Sequence, residues 1–467
     1  MNPEPENQSM DIVASLRALV GPVAVLDAAE LAARPAGVWR SDPLQAAALV
    51  RPADTSEVAA VLRWCHAHRV AVVPQGGLTG LVHGADAAPD QVILSLERMR
   101  TIELIDPVQR VARVQAGVPL QALQEAAAAQ ALAFPLDLGA RGTATLGGNA
   151  ATNAGGNRVI RYGMMREMVL GLEVVLADGT VVDALNALIK NNAGYDLRQI
   201  FVGSEGTLGV ITRLVLRLRE QPRSRQMAFV AFDRFDAVAA FLKRIDRDLG
   251  GSLSAFEVMW QSYYRLVTTA PAPGRPPLPQ HHAYYALIES QGAHAEADAA
   301  RFGAALESAL EARLVADAAV AQSESDCAAF WGLRDDVGQA LRGGVPLLFD
   351  VSLPIAEMER YAAELEAALA AALAEHRLWI FGHLGDGNLH VIVQVPPQAG
   401  PAARPRVESC VYGPLAAYRG SVSAEHGIGL EKKPWLHLSR NAAEIALMRT
   451  LKSALDPLGL LNPGKVL

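Results

Sequence analysis

The residues best able to do chemistry in this chain sit in the stretch WIFGHLGDGNLHVIV, residues 379–393. Asp386-Gly387 lies between two apolar runs. Asp-Gly favours the type I′ hairpin turn, which needs positive φ at both central residues. With that dipeptide as the turn, the ladder pairs Gly385 with Asn388, Leu384 with Leu389 and His383 with His390. Directly opposed side chains lie on one face with Cβ atoms roughly 5 Å apart. Two neutral imidazoles at that spacing can share a divalent metal at roughly 2.1 Å; the pair reads equally well as stacked strand histidines without metal. A second patch, SAEHGIG at 423–429, sets Glu425 beside His426 in a glycine-bounded turn. A carboxylate added to two histidines makes a metal site with positions open to water or substrate, and the adjacent histidine can act as a base. Spacing along the chain does not by itself bring the two patches together.

Three glycine-rich loops form a second group. PQGGLTG, 74–80, follows the apolar run RVAVVP, and its glycines let backbone N–H groups approach an anion closely. The spacing is not G-x-G-x-x-G and no Gly-Lys-Ser/Thr occurs, so neither a Rossmann site nor a Walker loop is indicated. PLDLGARGTATLGGNAATNAGG, 135–156, is a long run of small and hydrogen-bonding residues, unlike a core segment and suited to wrapping a large polar cofactor. GSEGTLGVIT, 203–212, adds a third. Three such loops in one region point to a bound dinucleotide.

The elements that must position these residues alternate in type. Residues 48–222 mix short Val/Ile/Leu strands with helices. Thr55 or Ser56 is placed to cap a helix that begins at Glu57 and Val58, and Asp178-Gly179 predicts a hairpin. After Pro222 come apolar strands (MAFVAF, AYYALIE, PLLFDVSLP, WIFGHL, LHVIVQV) and Ala-rich helices such as MERYAAELEAALAAALAEH, the pattern of an α+β domain on an antiparallel sheet. At 467 residues two or three domains are expected. The net charge of −7, the pI near 5.9 and the lack of a Lys/Arg block argue against a nucleic-acid partner. Cys65, Cys327 and Cys410 are odd in number and far apart, which fits a reducing compartment without disulfides. The polar, acidic MNPEPENQSMD is not a signal peptide, and no apolar run is long enough for a transmembrane helix. A cytoplasmic location is expected, with peripheral contact at an inner membrane left open.

Taken together, PQGG-x-TG, the 135–156 run, RYGMMREMVLGLEVVLADGT, NNAGYDLRQIFVGSEGTLGVIT, GHLGDGNLH, SAEHGIG and LLNPGKVL resemble the FAD-dependent D-2-hydroxy acid dehydrogenases, of the D-2-hydroxyglutarate and D-lactate dehydrogenase type. The resemblance covers roughly 45–467. It implies an α+β chain with a two-part FAD-binding domain of the vanillyl-alcohol oxidase type and an inserted substrate (cap) domain: residues 1–222, then 223–420, then 421–467 returning to the FAD domain. Carried over by position, Gln75, Gly76, Gly77, Thr79 and Gly80 cradle the FAD pyrophosphate. Pro135, Leu136, Asp137, Gly148, Asn149, Thr152, Asn153 and Gly155 line the next stretch of cofactor. Glu205, Gly206 and Ile211 fall on the adenosine side, and Asn462 near the flavin. His383, His390 and Glu425 hold one divalent metal, zinc being the expected ion, with manganese or cobalt also suited. His426 is the base and Arg334 binds the substrate carboxylate region.

The resemblance implies non-covalent FAD, a small 2-hydroxy acid as substrate and an electron acceptor such as an electron-transfer flavoprotein, cytochrome or quinone. A homodimer is compatible. Members specific for dicarboxylates carry polar partners where this chain has Gly338, Leu348 and Ile392. Leu78 and His83 also differ in the first loop, and His83 reads as a surface residue. The three apolar changes favour a D-2-hydroxy monocarboxylate, D-lactate or larger, over D-2-hydroxyglutarate or D-malate. A peroxide-forming flavin oxidase is the reading from another class.

Overall fold

Alternation of apolar and polar residues puts the first core between two sheets. The computed structural model describes residues 11–399 and 401–467; the polar lead-in at residues 1–10 lies outside the described residues. A four-stranded sheet has the order Val25–Asp27, Ala48–Val50, Val92–Ser95, Val72–Gln75, with its last three strands parallel. Helix Thr55–His68 makes the crossover. Its cap is Asp54 rather than Thr55 or Ser56: the Asp54 carboxylate accepts from Glu57 N at 2.9 Å, while Thr55 turns its hydroxyl to buried Glu173 at 2.5 Å. Asp54, one residue upstream, has the extended N-cap backbone and a carboxylate that reaches the free Glu57 amide. A five-stranded antiparallel sheet follows, in the order Val181–Ala184, Val169–Val175, Val210–Arg217, Val111–Gln115, Ile102–Asp106. Its first pair is the hairpin expected around Asp178-Gly179, with Gly179 at φ +82°.

The second core lies on a seven-stranded antiparallel sheet, in the order Asp317–Val320, Ser224–Phe232, Tyr284–Gly292, Leu253–Trp260, Arg377–His383, Asn388–Val395, Val345–Ser352. Every apolar strand expected after Pro222 is in it. Helices Phe235–Leu249, Ala295–Glu311 and Met358–Ala372 bury Phe241, Phe302 and Leu365 against one face, and helix Glu324–Asp335 lies on the other with Phe330 and Leu333. The tail then returns to the first sheet: Val72 N donates to Leu460 O at 2.8 Å and Asn462 N to Val72 O at 2.8 Å.

The histidine hairpin departs from the expected turn. Leu384–Asp386 form a 3₁₀ turn closed by Gly387 at φ +84°, and Asp386 is not left-handed, so the turn is not type I′. The register moves by two: His390 lies opposite Phe381, and His383 pairs on its other side with Glu257. The turn is held from outside the hairpin, where Leu353 N donates to Gly387 O at 3.1 Å and Ile160 packs on Gly385, and these contacts override the local preference of Asp-Gly. A shift of two keeps the face, since side chains alternate with period two. Both histidines therefore still point the same way, as diagonal rather than opposed neighbours.

Gly387 is the residue on which that turn depends. Gly387→Ala should cost about 1–2 kcal/mol for a left-handed alanine, read as a lower urea midpoint at unchanged slope.

Candidate active site

The site begins with a buried acid in an apolar strand. Glu257 sits in Leu253–Trp260 and is 1% exposed. Its two oxygens face His383 Nδ1 at 2.7 Å and Arg334 Nε at 2.8 Å. Burial alone would raise the Glu257 pKa; the cationic His383 and Arg334 outweigh it and hold the carboxylate ionised. For His383 burial acts to lower the pKa, and Glu257 reverses this to about 9. His390 has no hydrogen-bonded acid; its Nδ1 lies 3.9 Å from Asp350 Oδ1, which offsets burial only in part. Burial first, then the charges of His383 and Arg334, push its pKa well down, so its imidazole offers a lone pair. Arg334 also lies over the Phe381 ring, 5.2 Å from its centroid, and Tyr263 clamps this layer by stacking on Phe381 and donating to Arg334 O at 2.7 Å.

With Nδ1 fixed by Glu257, His383 Nε2 points at His390 Nε2, 3.2 Å away, and at Glu425 Oε1, 3.5 Å away. Donor atoms around a tetrahedral ion with bonds of about 2.1 Å lie roughly 3.4 Å apart. The donor set His383, His390, Glu425 has all its ligand atoms within 4.8 Å of one another and fits a divalent metal in chemistry and spacing. A metal there would displace the His383 proton.

Glu425 reaches the histidines because the 423–426 turn is hung from one carboxylate. Asp350, fully buried in Val345–Ser352, accepts through Oδ2 from three consecutive amides: Ala424 N at 3.1 Å, Glu425 N at 2.8 Å and His426 N at 3.1 Å. Oδ1 accepts from Asn388 Nδ2 at 2.6 Å. Burial opposes the charge of Asp350, but His426, Lys432, His390 and the amides overcome it and hold its pKa far below the usual range. Asp350, Glu425 and His426 also cluster closely enough for a metal, yet the amides already use the Asp350 oxygen. The His426 ring lies nearly parallel to that of His390, centroids 6.3 Å apart, with Nδ1 3.8 Å from Asp350 Oδ2.

The small-residue loops converge from the other side. Gly156 N donates to Glu425 Oε1 at 2.9 Å. Gly77 is so close to the second loop that a Cβ would fall 1.9 Å from Thr143 O, which explains a glycine there. Leu78, His83, Asn153, Glu205 and Asn462 all have φ between 43° and 58°, a concentration of left-handed backbone in these loops. Buried Asn149 Nδ2, Ser204 Oγ and Asn462 Oδ1 lack hydrogen-bond partners. Since buried polar atoms are nearly always paired, three orphans around one set of loops fit a polar ligand such as FAD. Gly80 and Gly139 face open space.

Other positions singled out in the sequence have definite local uses. Gln75 Nε2 closes its loop on Ala85 O at 2.8 Å, and Thr152 Oγ1 bonds Gly148 O at 3.1 Å. Leu136 and Ile211 pack in the first core. The Glu205 carboxylate turns to Ile428 N and Gly429 N at 2.7 and 2.8 Å, tying the third loop to SAEHGIG. Ile392 shares the His390 face but is 1% exposed beside Phe381, Leu348 opposite it is 40% exposed, and a Cβ on Gly338 would meet only Asp336 at 3.8 Å. His83 is exposed, as expected of a surface residue, with its Nδ1 3.0 Å from Asp86 and 2.9 Å from Arg40. The sequence reading passed over Glu257, Glu289, Asp350 and Arg158. The acids carry a signal, each being a lone carboxylate in an apolar strand, which must find a partner if buried.

Known proteins match this arrangement. Residues 46–185 match the FAD binding domain family and residues 221–466 the C-terminal domain of FAD linked oxidases. A D-2-hydroxyglutarate dehydrogenase of Xanthomonas citri pv. viticola is 42% identical over 432 residues, 92% of this chain and 90% of the relative. A Schizosaccharomyces pombe protein, provisionally named a mitochondrial D-lactate dehydrogenase, is 38% identical over 430 residues, 89% of this chain and 81% of the relative. A substrate-bound p-cresol methylhydroxylase superimposes with a TM-score of 0.75 over 97% of this chain and 96% of that one at 18% identity, which places the fold in the vanillyl-alcohol oxidase type. With two family domains that span both sheets and a near full-length relative at this identity, the chain belongs to the FAD-linked oxidase family, alongside the D-2-hydroxyglutarate dehydrogenases.

Proposed function

We propose that this chain is an FAD- and divalent-metal-dependent dehydrogenase that oxidises a D-2-hydroxy acid to the 2-oxo acid. The observation that carries the reading is the convergence of His390 Nε2 and Glu425 Oε1 on His383 Nε2, at 3.2 and 3.5 Å, with Gly156 of a cofactor-lining loop bonded to the same Glu425 oxygen. Residues 1–222 and 421–467 surround the cofactor in this reading, and 223–420 cover the substrate. The cofactor loops would hold FAD, which would supply a hydride acceptor for C2, and His383, His390 and Glu425 would hold an ion that would supply a Lewis acid for the substrate hydroxyl. The chain's own groups do the rest. Arg334 holds the C1 carboxylate region. His426 takes the hydroxyl proton as the C–H electron pair departs and the O–H pair becomes the carbonyl bond. Phe381 and Tyr263 keep the Arg334 side dry. Electrons then leave for an acceptor of the flavoprotein, cytochrome or quinone type. No described helix is long and apolar enough to cross a membrane.

The substrate's tail is proposed to be apolar or short. Gly338, Leu348 and Ile392 offer it no hydrogen bond, Arg334 is committed to the C1 carboxylate region in this reading, and Lys433 Nζ is turned to Gly464 O at 3.0 Å. A second reading, D-2-hydroxyglutarate, is favoured by the names of the relatives; it needs a cation for the distal carboxylate, and exposed Arg342 is the nearest in sequence.

Three measurements test this. Chelation should abolish turnover while FAD stays bound, to be released by acid, and Glu257→Gln should weaken metal retention by roughly 10–100-fold because His383 loses its orienting partner; full activity in metal-free protein would refute the metal. His426→Asn should lower kcat by roughly 10²–10⁴ with metal retained. In a panel of 2-hydroxy acids, kcat/KM should be higher for D-lactate or a larger apolar acid than for D-2-hydroxyglutarate, since burying an unpartnered carboxylate costs several kcal/mol and about 1.4 kcal/mol is tenfold. A tenfold preference for D-2-hydroxyglutarate would show that the second reading is right. Oxygen consumption with peroxide formation would point to an oxidase instead.

A further inference from the structure

One short segment, residues 155–162, touches the metal-site carboxylate, the histidine turn, the cofactor loop and the seven-stranded sheet. Gly156 N holds Glu425 Oε1, the oxygen that faces His383. Ile160 packs on Gly385 in the histidine turn, where a Cβ would fall 2.5 Å from its Cδ1. Arg161 Nη1 donates to Ser252 O at 3.2 Å, and Tyr162 OH to Gln291 Oε1 at 2.9 Å, both on the seven-stranded sheet's side. Between them stands Arg158. Its Nη1 donates to Asp137 Oδ2 at 2.5 Å, while Nε and Nη2 fork onto Glu289 at 2.8 and 3.1 Å.

Glu289 is completely buried and fully used. Ser254 Oγ reaches its Oε1 at 2.7 Å, and Trp331 Nε1 its Oε2 at 3.3 Å. Trp331 lies on helix Glu324–Asp335, three residues before Arg334 and so on the same face. Ala255 is the cross-strand partner of Glu289, and Glu257 is two residues further along that strand, so the two acids share a sheet face, each gripping one arginine. On the other side, Asp137 belongs to the loop that lines the proposed cofactor site. Its carbonyl accepts from Asn157 N at 3.1 Å and sits where a Cβ on Gly156 would be, at 2.1 Å. A displacement of the Asp137 loop must therefore move Gly156, and with it the bond that aims Glu425.

We infer that Arg158 is a positioning residue that couples the cofactor loop to the metal-site carboxylate, so that FAD and the divalent ion bind cooperatively. The inference rests on the metal reading above. Coupling of this kind is reciprocal, and between two sites it commonly amounts to 5–150-fold in affinity, on the order of 1–3 kcal/mol. Arg158 does this by geometry: the guanidinium fork reaches a carboxylate on the cofactor loop and one on the seven-stranded sheet at once, which an ammonium on a flexible stem does not.

The experiment is competition of the full-length protein against a fluorescent zinc chelator, with and without bound FAD. Wild type should bind Zn²⁺ at least fivefold more tightly with FAD than after deflavination and refilling controls. Arg158→Met should reduce that ratio to near one while the FAD form keeps its visible spectrum, and Arg158→Lys should recover only part of it. Asp137→Asn, which spares the Arg158–Glu289 pair, should also shrink the ratio and serves if Arg158→Met does not fold. A purely structural role would lower the unfolding midpoint and leave the ratio intact. Zinc binding that ignores FAD in the wild type, or a ratio unchanged in both Arg158→Met and Asp137→Asn, overturns the inference alone. No zinc binding in the wild type overturns the metal reading and this inference with it.

Discussion

The Asp350 carboxylate is the contact on which the rest of the site depends. Three successive amides converge on one of its oxygens, and that is possible only if residues 424–426 curl around it. A carboxylate buried without such donors would be too costly to keep charged, and three amides without an anion would be equally orphaned. Each needs the other. The strand supplies the acid, the Ser352–Ser421 bridge brings the turn alongside, and the side chains of Glu425 and His426 are left to project toward the histidines.

Glu257 and Glu289 repeat the same logic in side-chain form. A buried carboxylate in the middle of a sheet is tolerated because each meets a guanidinium and at least one further donor. The consequence is rigidity where the chemistry requires it. Arg334, His383 and Arg158 are held by acids on strands whose own positions are set by full ladders, so the polar layer inherits the precision of the sheet.

Much of this was legible in the sequence, for identifiable reasons. The shared face of His383 and His390 survived an error in the turn, because a register shift of two preserves alternation, whereas a shift of one would have separated them. The turn itself was misread because Asp-Gly suits a tight hairpin locally, and packing of the turn against Leu353 and Ile160 overrode it. The cofactor loops were visible in composition alone, since runs of small residues have no other use on that scale. Proximity of Glu425 to the histidines was not visible, because it is set by Asp350, 74 residues before Ala424. Arg158 was invisible for the same reason: its partners Asp137 and Glu289 lie 21 and 131 residues away, one on a loop and the other on the seven-stranded sheet.

The closing strand contact of the first sheet has a bearing on how the molecule is made. Asn462 bonds the carbonyls of Gly84 and Glu205, and its partner Gly84 lies 378 residues earlier in the chain. Synthesis delivers the N-terminal region first, and domains tend to fold as they emerge. Here the region that emerges first cannot complete its edge beside Val72 until the whole seven-stranded sheet has left the ribosome. The loops proposed to line the cofactor are thus closed only after the seven-stranded sheet has been made, and a nascent chain passes through a stage in which the sheet bearing His383 and His390 is available while that side is still open.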